Sequence, residues 1–357
     1  MSSLILVTCD SGAGHLKQGK LADRVLTLTH RLVSGPIPFD SAPERFFLDR
    51  RRLYETEGLF HEPWWFEVED LTGENPRFKR IWSRLPEVCL QYDTITLWID
   101  PDANAQLILL QLLDWLGHKP EIASRLWLKQ AETPTGDRRF GDLVLPPTRI
   151  EAADVALASR AWAAFRSPTP RAWAALDEDP DIARLPGLKR AVRQMLGELP
   201  DSTGLGATQR KMLALVERLS QRPEFVRRGG ELSACVLPEA ERGPERLIWR
   251  TYQSGERMPL WSFEIGYALC DLASAPVAAV SGVTEPVYSL AMHSDKERFR
   301  RFRESPVSLT PLGHRLVAGT DDWLRHNPAH RWWGGTRLTN DTLWRWDAAA
   351  GRLSAPG

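Results

Sequence analysis

TITLWIDPDANAQLILLQLLDWL, residues 94–116, is the stretch that decides the fold. Its first part, residues 94–100, has the β-branched and aromatic composition of a strand. Residues 101–104 then form a turn, and residues 105–118 form a helix that is apolar on nearly all sides, which predicts deep burial. A strand, a short loop and a buried helix make half of a βαβ unit, and such units build parallel sheets.

The N-terminal segment predicts a second unit of the same kind. Residues 3–9 are rich in Leu, Ile and Val, as expected for a strand covered on both faces. Gly12 and Gly14 are predicted to form a turn before a short helix, and residues 24–30 read as the next strand. Residues 124–130 and 142–148 are further strand candidates. We therefore expect an α/β, Rossmann-like domain with a parallel sheet over residues 1–150.

The amino-acid composition of the chain changes after residue 150. Alanine-rich helical segments predict a helical connector over residues 151–205. Residues 206–357 read as a winged-helix-like α+β module, closed by a Trp-rich hairpin over residues 331–347. Within the module we expect helices at 207–221 and 260–274, short strands at 276–282 and 286–290, and a strand followed by a helix at 307–319. The hairpin is predicted to turn at Asn340 and Asp341.

Composition excludes several classes of protein. Among 357 residues, 46 are basic (Lys and Arg) and 46 are acidic, so no global field favours nucleic acid. The four cysteines are far apart and form no CxxC pair, which fits reduced thiols better than disulfides or a zinc site. No run of about 18 apolar residues predicts a membrane span. The first ten residues are too short and uncharged for a signal peptide, so a cytoplasmic location is expected.

Five segments together resemble a known family. They are LVTCDSGAGHLKQ, HRLVSGPIP, TLWIDPDANAQLILLQLLDWL, LTPLGHRLVAGTDDW and RWWGGTRLTNDTLWRWD. The set is similar to the uncharacterised bacterial family catalogued as domain of unknown function 1835. Cys9 stands where that family usually has glycine, and His30 where aspartate is common; Pro101 and Asn104 also depart from its pattern. The resemblance implies an architecture and no known reaction.

Three predicted strand ends carry the candidate site, because ligands of open parallel sheets bind beyond the carboxyl ends of the strands. If the strands are neighbours, their terminal side chains share one crevice. The predicted catalytic residues are Asp10, His15, Asp100 and Asp102, and the predicted ligand-binding residues are Ser11, Gly12, Gly14, His30, Arg31 and Gln106.

Each part of this site has a plainer explanation. The glycines would let the backbone approach an anion at a helix start, or DSGAGH is a tight turn in which Asp10 or Ser11 caps the helix. Asp10, Asp100 and Asp102 would hold a divalent ion such as Mg²⁺, which prefers carboxylate oxygens. The alternative is that Asp102 caps the following helix and Asp100 makes a local turn.

The neighbouring polar side chains are equally open to two interpretations. Arg31 would pair with a phosphate or a carboxylate, or it ties its loop to a nearby aspartate. Gln106 offers a neutral donor and acceptor to a base or an amide. A Ser/His/Asp nucleophile set is disfavoured, because the residue order matches no known elbow motif.

A basic stretch, KERFRRFR at residues 296–303, carries the alternative function. Phe299 and Phe302 alternate with cations, which is a pattern for phosphate contacts and base stacking; the nucleic-acid candidates are Lys296, Arg300, Arg301 and Arg303. The two phenylalanines are also three residues apart, as in an amphipathic helix with a solvated basic face, and we favour that interpretation.

The sequence thus gives two hypotheses. In the first, the protein binds or hydrolyses a nucleotide or another small phosphorylated ligand at the strand ends of the N-terminal domain. In the second, it is a non-catalytic regulator or adaptor that contacts nucleic acid or a protein through the C-terminal module. No membrane partner is expected.

Overall fold

The structure, a computed structural model, describes residues 1–57, 82–130, 146–220, 259–260, 262–303 and 307–357. The chain divides into two compact units. Of the described residues, those within 1–57, 82–195 and 334–336 form unit 1, and those within 196–333 and 337–357 form unit 2. The predicted connector, residues 151–205, is therefore divided: its helices up to Met195 belong to the same unit as the sheet. Most of the 142–148 strand candidate and Cys235 lie outside the described residues.

Unit 1 is a mixed α/β unit. Its strands are β1 (Ser3–Val7), β2 (Arg24–Thr27), β3 (Thr94–Ile99), β4 (Leu126–Gln130) and β5 (Thr148–Arg149). Its helices are α1 (Asp10–Gln18), α2 (Phe46–Glu57), α3 (Leu85–Cys89), α4 (Ala103–Leu116), α5 (Pro120–Ala123), α6 (Ala152–Arg166), α7 (Arg171–Ala175) and α8 (Leu188–Gly197), the last of which continues into unit 2. Short 3-10 turns at 43–45, 176–178 and 180–184 connect them.

The five strands form one sheet in the order β2-β1-β3-β4-β5. The first four strands are parallel, and β5 pairs antiparallel with β4. The expected parallel sheet is confirmed at this level, and the three strand ends predicted to meet do belong to neighbouring strands. The chain leaves β1 toward β2 on one side and leaves β3 toward β4 on the other. The direction of winding therefore reverses between β1 and β3.

Burial follows the apolar pattern that predicted it. Every residue of α4 except Asp114 is buried, as its all-round apolar composition indicated. On one face of the sheet, Ile5, Val7 and Trp98 pack against Ala13 and Leu16 of α1. The other face carries Leu4, Leu6, Leu97 and Leu128, all of which are buried. Burial on both faces explains why β1 reads as a continuous apolar run.

The predicted glycine turn after β1 is wrong. Helix α1 already begins at Asp10, so Gly12 and Gly14 lie within it. The N-cap is Cys9, whose Sγ accepts a hydrogen bond from the Gly12 amide at 3.3 Å. Neither Asp10 nor Ser11 is the cap. The helix forms in spite of two glycines because Ala13 and Leu16 are buried against the sheet.

Unit 2 is mainly helical. Its helices are α9 (Ala207–Ser220), α10 (Ser262–Ser274), α11 (Leu290–Ser294), α12 (Lys296–Arg303) and α13 (Pro311–Val317), and its strands are β6 (Val280–Ser281), β7 (Ser308–Leu309), β8 (His330–Trp333), β9 (Thr336–Thr339), β10 (Arg345–Asp347) and β11 (Arg352–Ser354). Strand β6 pairs antiparallel with β7 around a core that includes Met212, Leu269 and Phe302. Thr310 caps α13 by accepting a hydrogen bond from the Gly313 amide at 3.1 Å.

Two predictions for this part of the chain are wrong. Residues 286–290 do not form a strand, because Ser289 caps α11 by accepting a hydrogen bond from the Met292 amide. The 331–347 segment is not one hairpin turning at Asn340. Instead β8 pairs with β9 across Gly334 and Gly335, while β10 pairs with β11.

The Gly334–Gly335 turn belongs to unit 1. The Ile37 amide donates to the Gly334 carbonyl at 2.9 Å, and the Gly335 amide donates to the Phe165 carbonyl at 2.9 Å. A Cβ on Gly335 would lie 1.8 Å from the Arg166 carbonyl oxygen, so only glycine fits this approach. Across the described ranges, no helix is both long and apolar enough to cross a membrane.

Candidate functional site

The carboxyl edge of the parallel sheet gathers most of the predicted site. Cys9 and Asp100 follow β1 and β3, the two strands between which the winding reverses. Ligands of open α/β sheets bind in the crevice that such a reversal leaves at the carboxyl ends. We therefore describe this edge residue by residue.

Cys9 and Asp100 meet at the reversal. Asp100 is 9% exposed, and its carboxylate forms a hydrogen bond with the Cys9 thiol. Burial raises the pKa of that thiol to about 12, and the nearby negative charge of Asp100 contributes to the rise. Cys9 is therefore a neutral thiol near pH 7, not a thiolate nucleophile.

Asp102 and Gln106 have structural partners on α4. The Asp102 Oδ1 accepts a hydrogen bond from the Ala105 amide at 3.0 Å and so caps the helix, as the plainer interpretation of the sequence had it. The buried Gln106 Nε2 donates to the Asp100 carbonyl at 2.9 Å. These bonds fix the backbone of the β3–α4 loop and position Asp100.

His30 is enclosed by protein. It is fully buried, with its Nε2 2.8 Å from the Gln111 Oε1 and its ring edge-on to Phe47 and Trp82 at centroid distances of 5.1 Å. Burial lowers the pKa of His30 to about 3, opposed by the Gln111 hydrogen bond. The histidine is thus neutral near pH 7.

The loop after β2 is held by buried polar side chains. Asn104 accepts from the Leu32 amide at 2.7 Å and donates to the His30 carbonyl at 3.0 Å. The Arg50 guanidinium, 1% exposed, donates to the carbonyls of Arg31, Ser34 and Pro36. These contacts make the loop a preorganised rim of the carboxyl edge.

Two cations are buried beside this rim. Arg31 is 0% exposed and Arg50 is 1% exposed, and both lower the pKa of His30 through their charge. Burial lowers the pKa of Arg50 itself. Two guanidinium groups are thus buried at the end of β2, one of which, that of Arg50, holds the carbonyls of the loop.

The remaining predicted residues lie on α1. His15 and Gly14 are exposed, whereas Gly12 is buried in the first turn. Asp10 and Ser11 are in that same turn, and their side chains are outside what the structure describes. Among the described residues, no three His, Cys, Asp or Glu side chains come together as a metal-binding group. The predicted Asp10–Asp100–Asp102 metal site remains a prediction.

Sequence reasoning missed two buried polar side chains at the same edge. The Thr8 hydroxyl follows β1 at 4% exposure, and the Gln130 amide ends β4 at 5% exposure. The Thr8 Oγ1 and both polar atoms of the Gln130 amide have no hydrogen-bond partner within the described chain. By strand alternation both side chains lie on the sheet face opposite α1. Their strands are separated by β3, so about 10 Å divides them.

Gln130 lies close to Gln106. A Cβ added to the buried Gly187 would be 2.4 Å from the Gln130 Nε2 and 2.5 Å from the Gln106 Nε2. Gly187 thus lets its backbone approach both amides closely. The only hint in the sequence was Gln130 itself, a polar residue that continues the buried positions of Leu126 and Leu128.

The basic helix α12 has the features of an amphipathic surface helix. Phe302 is fully buried in the unit 2 core and Phe299 packs against it. Arg298 forms a bidentate pair with the buried Glu285, with contacts of 2.7 and 3.3 Å. Arg300 pairs with Glu297 at 2.8 Å.

The predicted nucleic-acid face is thus partly neutralised. Lys296 and Arg301 are exposed, while the side chain of Arg303 is outside the described part. Nucleic-acid binding through α12 remains a prediction.

Comparison with known proteins adds no assignment. The chain matches no protein-family model, and no curated protein gives a significant match. The likeness to domain of unknown function 1835 therefore rests on the quoted motifs alone.

Proposed function

We propose that the protein binds a small phosphorylated ligand, with a nucleotide as the leading candidate, at the carboxyl edge of the unit 1 sheet. The observation that carries the proposal is the pair of buried, unpartnered polar side chains, Thr8 and Gln130, at this edge. A buried polar group without a partner costs about 1–3 kcal/mol. Such groups persist where a ligand or a water molecule satisfies them.

Charge supports a phosphorylated ligand over a neutral one. Two guanidinium groups, those of Arg31 and Arg50, are buried at the end of β2, and a guanidinium is a group that binds phosphate. The first turn of α1 adds the positive end of a helix dipole next to Cys9. Gln130 offers one donor and one acceptor, the combination that reads the edge of a nucleobase.

The proposal is for binding, and Cys9 and His30 are not offered as the groups of a hydrolytic reaction. A thiol with a pKa of about 12 and a histidine with a pKa of about 3 supply neither a thiolate nor a base matched to neutral pH. Asp100 would hold a ligand hydroxyl or a divalent ion such as Mg²⁺ that accompanies the phosphate.

The finer architecture is part of the same proposal. The sheet order and its reversal support a Rossmann-like unit 1. The helices and the small β6–β7 pair of unit 2 support a winged-helix-like module. The motifs support membership of the family of domain of unknown function 1835, while nucleic-acid or protein binding through unit 2 is the alternative function.

Thermal shifts with nucleotides and sugar phosphates, each with and without Mg²⁺, test the proposal. A ligand at about 100 times its Kd stabilises unit 1 by about 2.7 kcal/mol, which corresponds to a Tm shift of several degrees. We expect Asp100→Asn to remove any Mg²⁺ dependence of that shift. The exposed Asp341→Asn is the matched control.

A second variant separates binding from stability. Gln130→Leu removes an unpartnered amide, so the ligand-free protein should become more stable while ligand affinity falls at least tenfold. The exposed Gln18→Leu should change neither quantity. Unchanged ligand affinity in Gln130→Leu would refute the role of this amide, and the absence of a shift with every ligand tested would refute the proposed function.

A further inference from the structure

Unit 2 contains a cavity of about 190 Å³, and all of its lining residues belong to that unit. A cavity of about 150 Å³ accommodates benzene, so in proportion this one takes a molecule of about eight non-hydrogen atoms. Such a volume is too small for a nucleotide. Any ligand of the unit 2 cavity therefore differs from the one proposed for unit 1.

Two side chains of opposite charge line this cavity. Asp271 lies near the end of α10, and Arg331 lies on β8. Within the described ranges, no hydrogen bond or ion pair reaches the Asp271 carboxylate, so the two groups do not pair directly with each other. They are nevertheless near neighbours, because burial raises the pKa of the Asp271 carboxyl and the positive charge of Arg331 opposes that rise. The cavity thus presents an anion and a cation that a ligand could bridge.

The two charged groups are held differently. The Arg331 guanidinium is half-buried and donates to the Glu198 carbonyl at 2.9 Å, which fixes its position at the wall. A guanidinium carries five N–H donors in a planar fork that suits a carboxylate, and this bond uses one of them. Asp271 is exposed, which places its side chain at the mouth of the cavity.

The deeper wall is apolar. Trp323 and Leu338 are buried, and Leu343 is half-buried. The buried amide of Asn327 also lines the cavity, but it accepts from the Val277 amide and donates to the Val277 carbonyl, both at 3.0 Å. Its polar atoms are therefore satisfied, and an apolar group can pack beside it without breaking a hydrogen bond.

We propose that this cavity binds a free α-amino acid with a compact apolar side chain, such as valine. The ammonium lies at Asp271, the carboxylate at Arg331, and the side chain packs against Trp323 and Leu338. Both charged groups of an α-amino acid are bonded to one carbon atom, so a single small ligand satisfies both residues. Valine also matches the size of the cavity. The site is independent of the phosphorylated ligand proposed for unit 1.

Isothermal titration of the full chain with matched ligands tests this. Isobutylamine is valine without its carboxylate, and isovalerate is valine without its ammonium group. We expect each of them to bind at least tenfold more weakly than valine, because each engages only one of the two charged side chains. A fragment that binds as tightly as valine, or the absence of valine binding, would overturn the proposal.

Two variants assign the ends of the ligand. Asp271→Asn and Arg331→Gln should each lower valine affinity at least tenfold. In Asp271→Asn, valine should lose its advantage over isovalerate, and in Arg331→Gln it should lose its advantage over isobutylamine. The matched controls are Asp341→Asn and Arg352→Gln, exposed positions of the same unit outside the lining, which should leave affinity unchanged. Advantages that survive in both site variants would show that valine does not bridge these residues.

The apolar wall has its own test. Glycine, which lacks the side chain, should bind at least tenfold more weakly than valine. Leu343→Trp should fill the cavity and abolish valine binding, while thermal unfolding reports whether the variant is folded. Equal affinities for glycine and valine, or undiminished binding in a folded Leu343→Trp protein, would place the amino acid elsewhere and refute the proposal.

Discussion

The buried side chain of Asn104 should contribute strongly to stability, because it holds the loop after β2 in place. It is 3% exposed, accepts from the Leu32 amide at 2.7 Å and donates to the His30 carbonyl at 3.0 Å. Asn104→Leu keeps a similar volume but leaves one buried amide and one buried carbonyl unsatisfied. At about 1–3 kcal/mol for each group, we expect a loss of about 3 kcal/mol. For a unit of this size that corresponds to a fall in Tm of about 6–12 °C.

Two measurements check this. Differential scanning calorimetry gives the change in Tm, and hydrogen exchange of the peptide that contains Leu32 reports whether the protection of its amide is lost. The control is Asn340→Leu, which removes one exposed bond to the Ala329 amide and should cost less than about 1 kcal/mol. A Tm within about 2 °C of the wild type, with the Leu32 amide still protected, would refute the assignment of the loop geometry to Asn104.

Three further predictions concern single groups. The pKa of His30 is about 3 in the folded protein and 6.5 in the unfolded chain, so only the unfolded chain takes up a proton between these values. The free energy of unfolding should therefore fall as pH falls from 6.5 to 3, by at most about 5 kcal/mol. Urea midpoints across that range should therefore fall less steeply in a folded His30→Gln variant, and equal slopes would contradict the assignment. Gly35→Ala should lower the free energy of unfolding by more than about 2 kcal/mol, because φ is +70° and the new Cβ would lie 1.4 Å from the hydroxyl of the buried Tyr54. The control, Gly319→Ala, has the same φ but open space around it and should cost about 1 kcal/mol. Denaturant titrations measure both. Cys9 should react with iodoacetamide at pH 8 far more slowly in the native protein than in urea, as followed by peptide mass spectrometry; comparable rates would disprove the raised pKa of its thiol.

The parallel sheet was predictable because its signals are local. β1 and β3 are apolar runs, and the helix after β3 is apolar on every side. Burial on both faces leaves few arrangements other than strands covered by helices. Neighbouring strand ends followed from the same argument, since sequential parallel strands joined by helices tend to lie side by side.

The start of α1 was not predictable from local signals. Glycine disfavours a helix by about 1 kcal/mol relative to alanine, and Gly12 and Gly14 are both in the first turns. A cysteine is also an unusual N-cap, since Ser, Thr, Asp and Asn are preferred. What decides the helix is the burial of Ala13 and Leu16 against the sheet, which depends on residues elsewhere in the chain.

The prediction of the C-terminal hairpin chose the wrong turn. Gly334–Gly335, a preferred pair for a two-residue hairpin turn, joins β8 and β9, whereas the turn was predicted at Asn340 and Asp341. Gly334 and Gly335 approach the carbonyls of Phe165 and Arg166 too closely for any side chain. The turn itself was therefore visible in the sequence as a Gly-Gly pair, whereas the close approach of residues about 170 positions away was not.

The candidate site shows the same division between local and distant information. Asp100 was identified because it ends a strand whose boundaries the sequence defines. Thr8 and Gln130 were missed because their significance depends on two facts that only the assembled sheet contains: that both are buried, and that nothing in the described chain pairs with them. A polar residue at a strand end reads as a normal terminus until its surroundings are known. Since a folded chain satisfies nearly all of its buried polar groups, those that it leaves at the edge where the winding reverses are the places where a ligand contributes most.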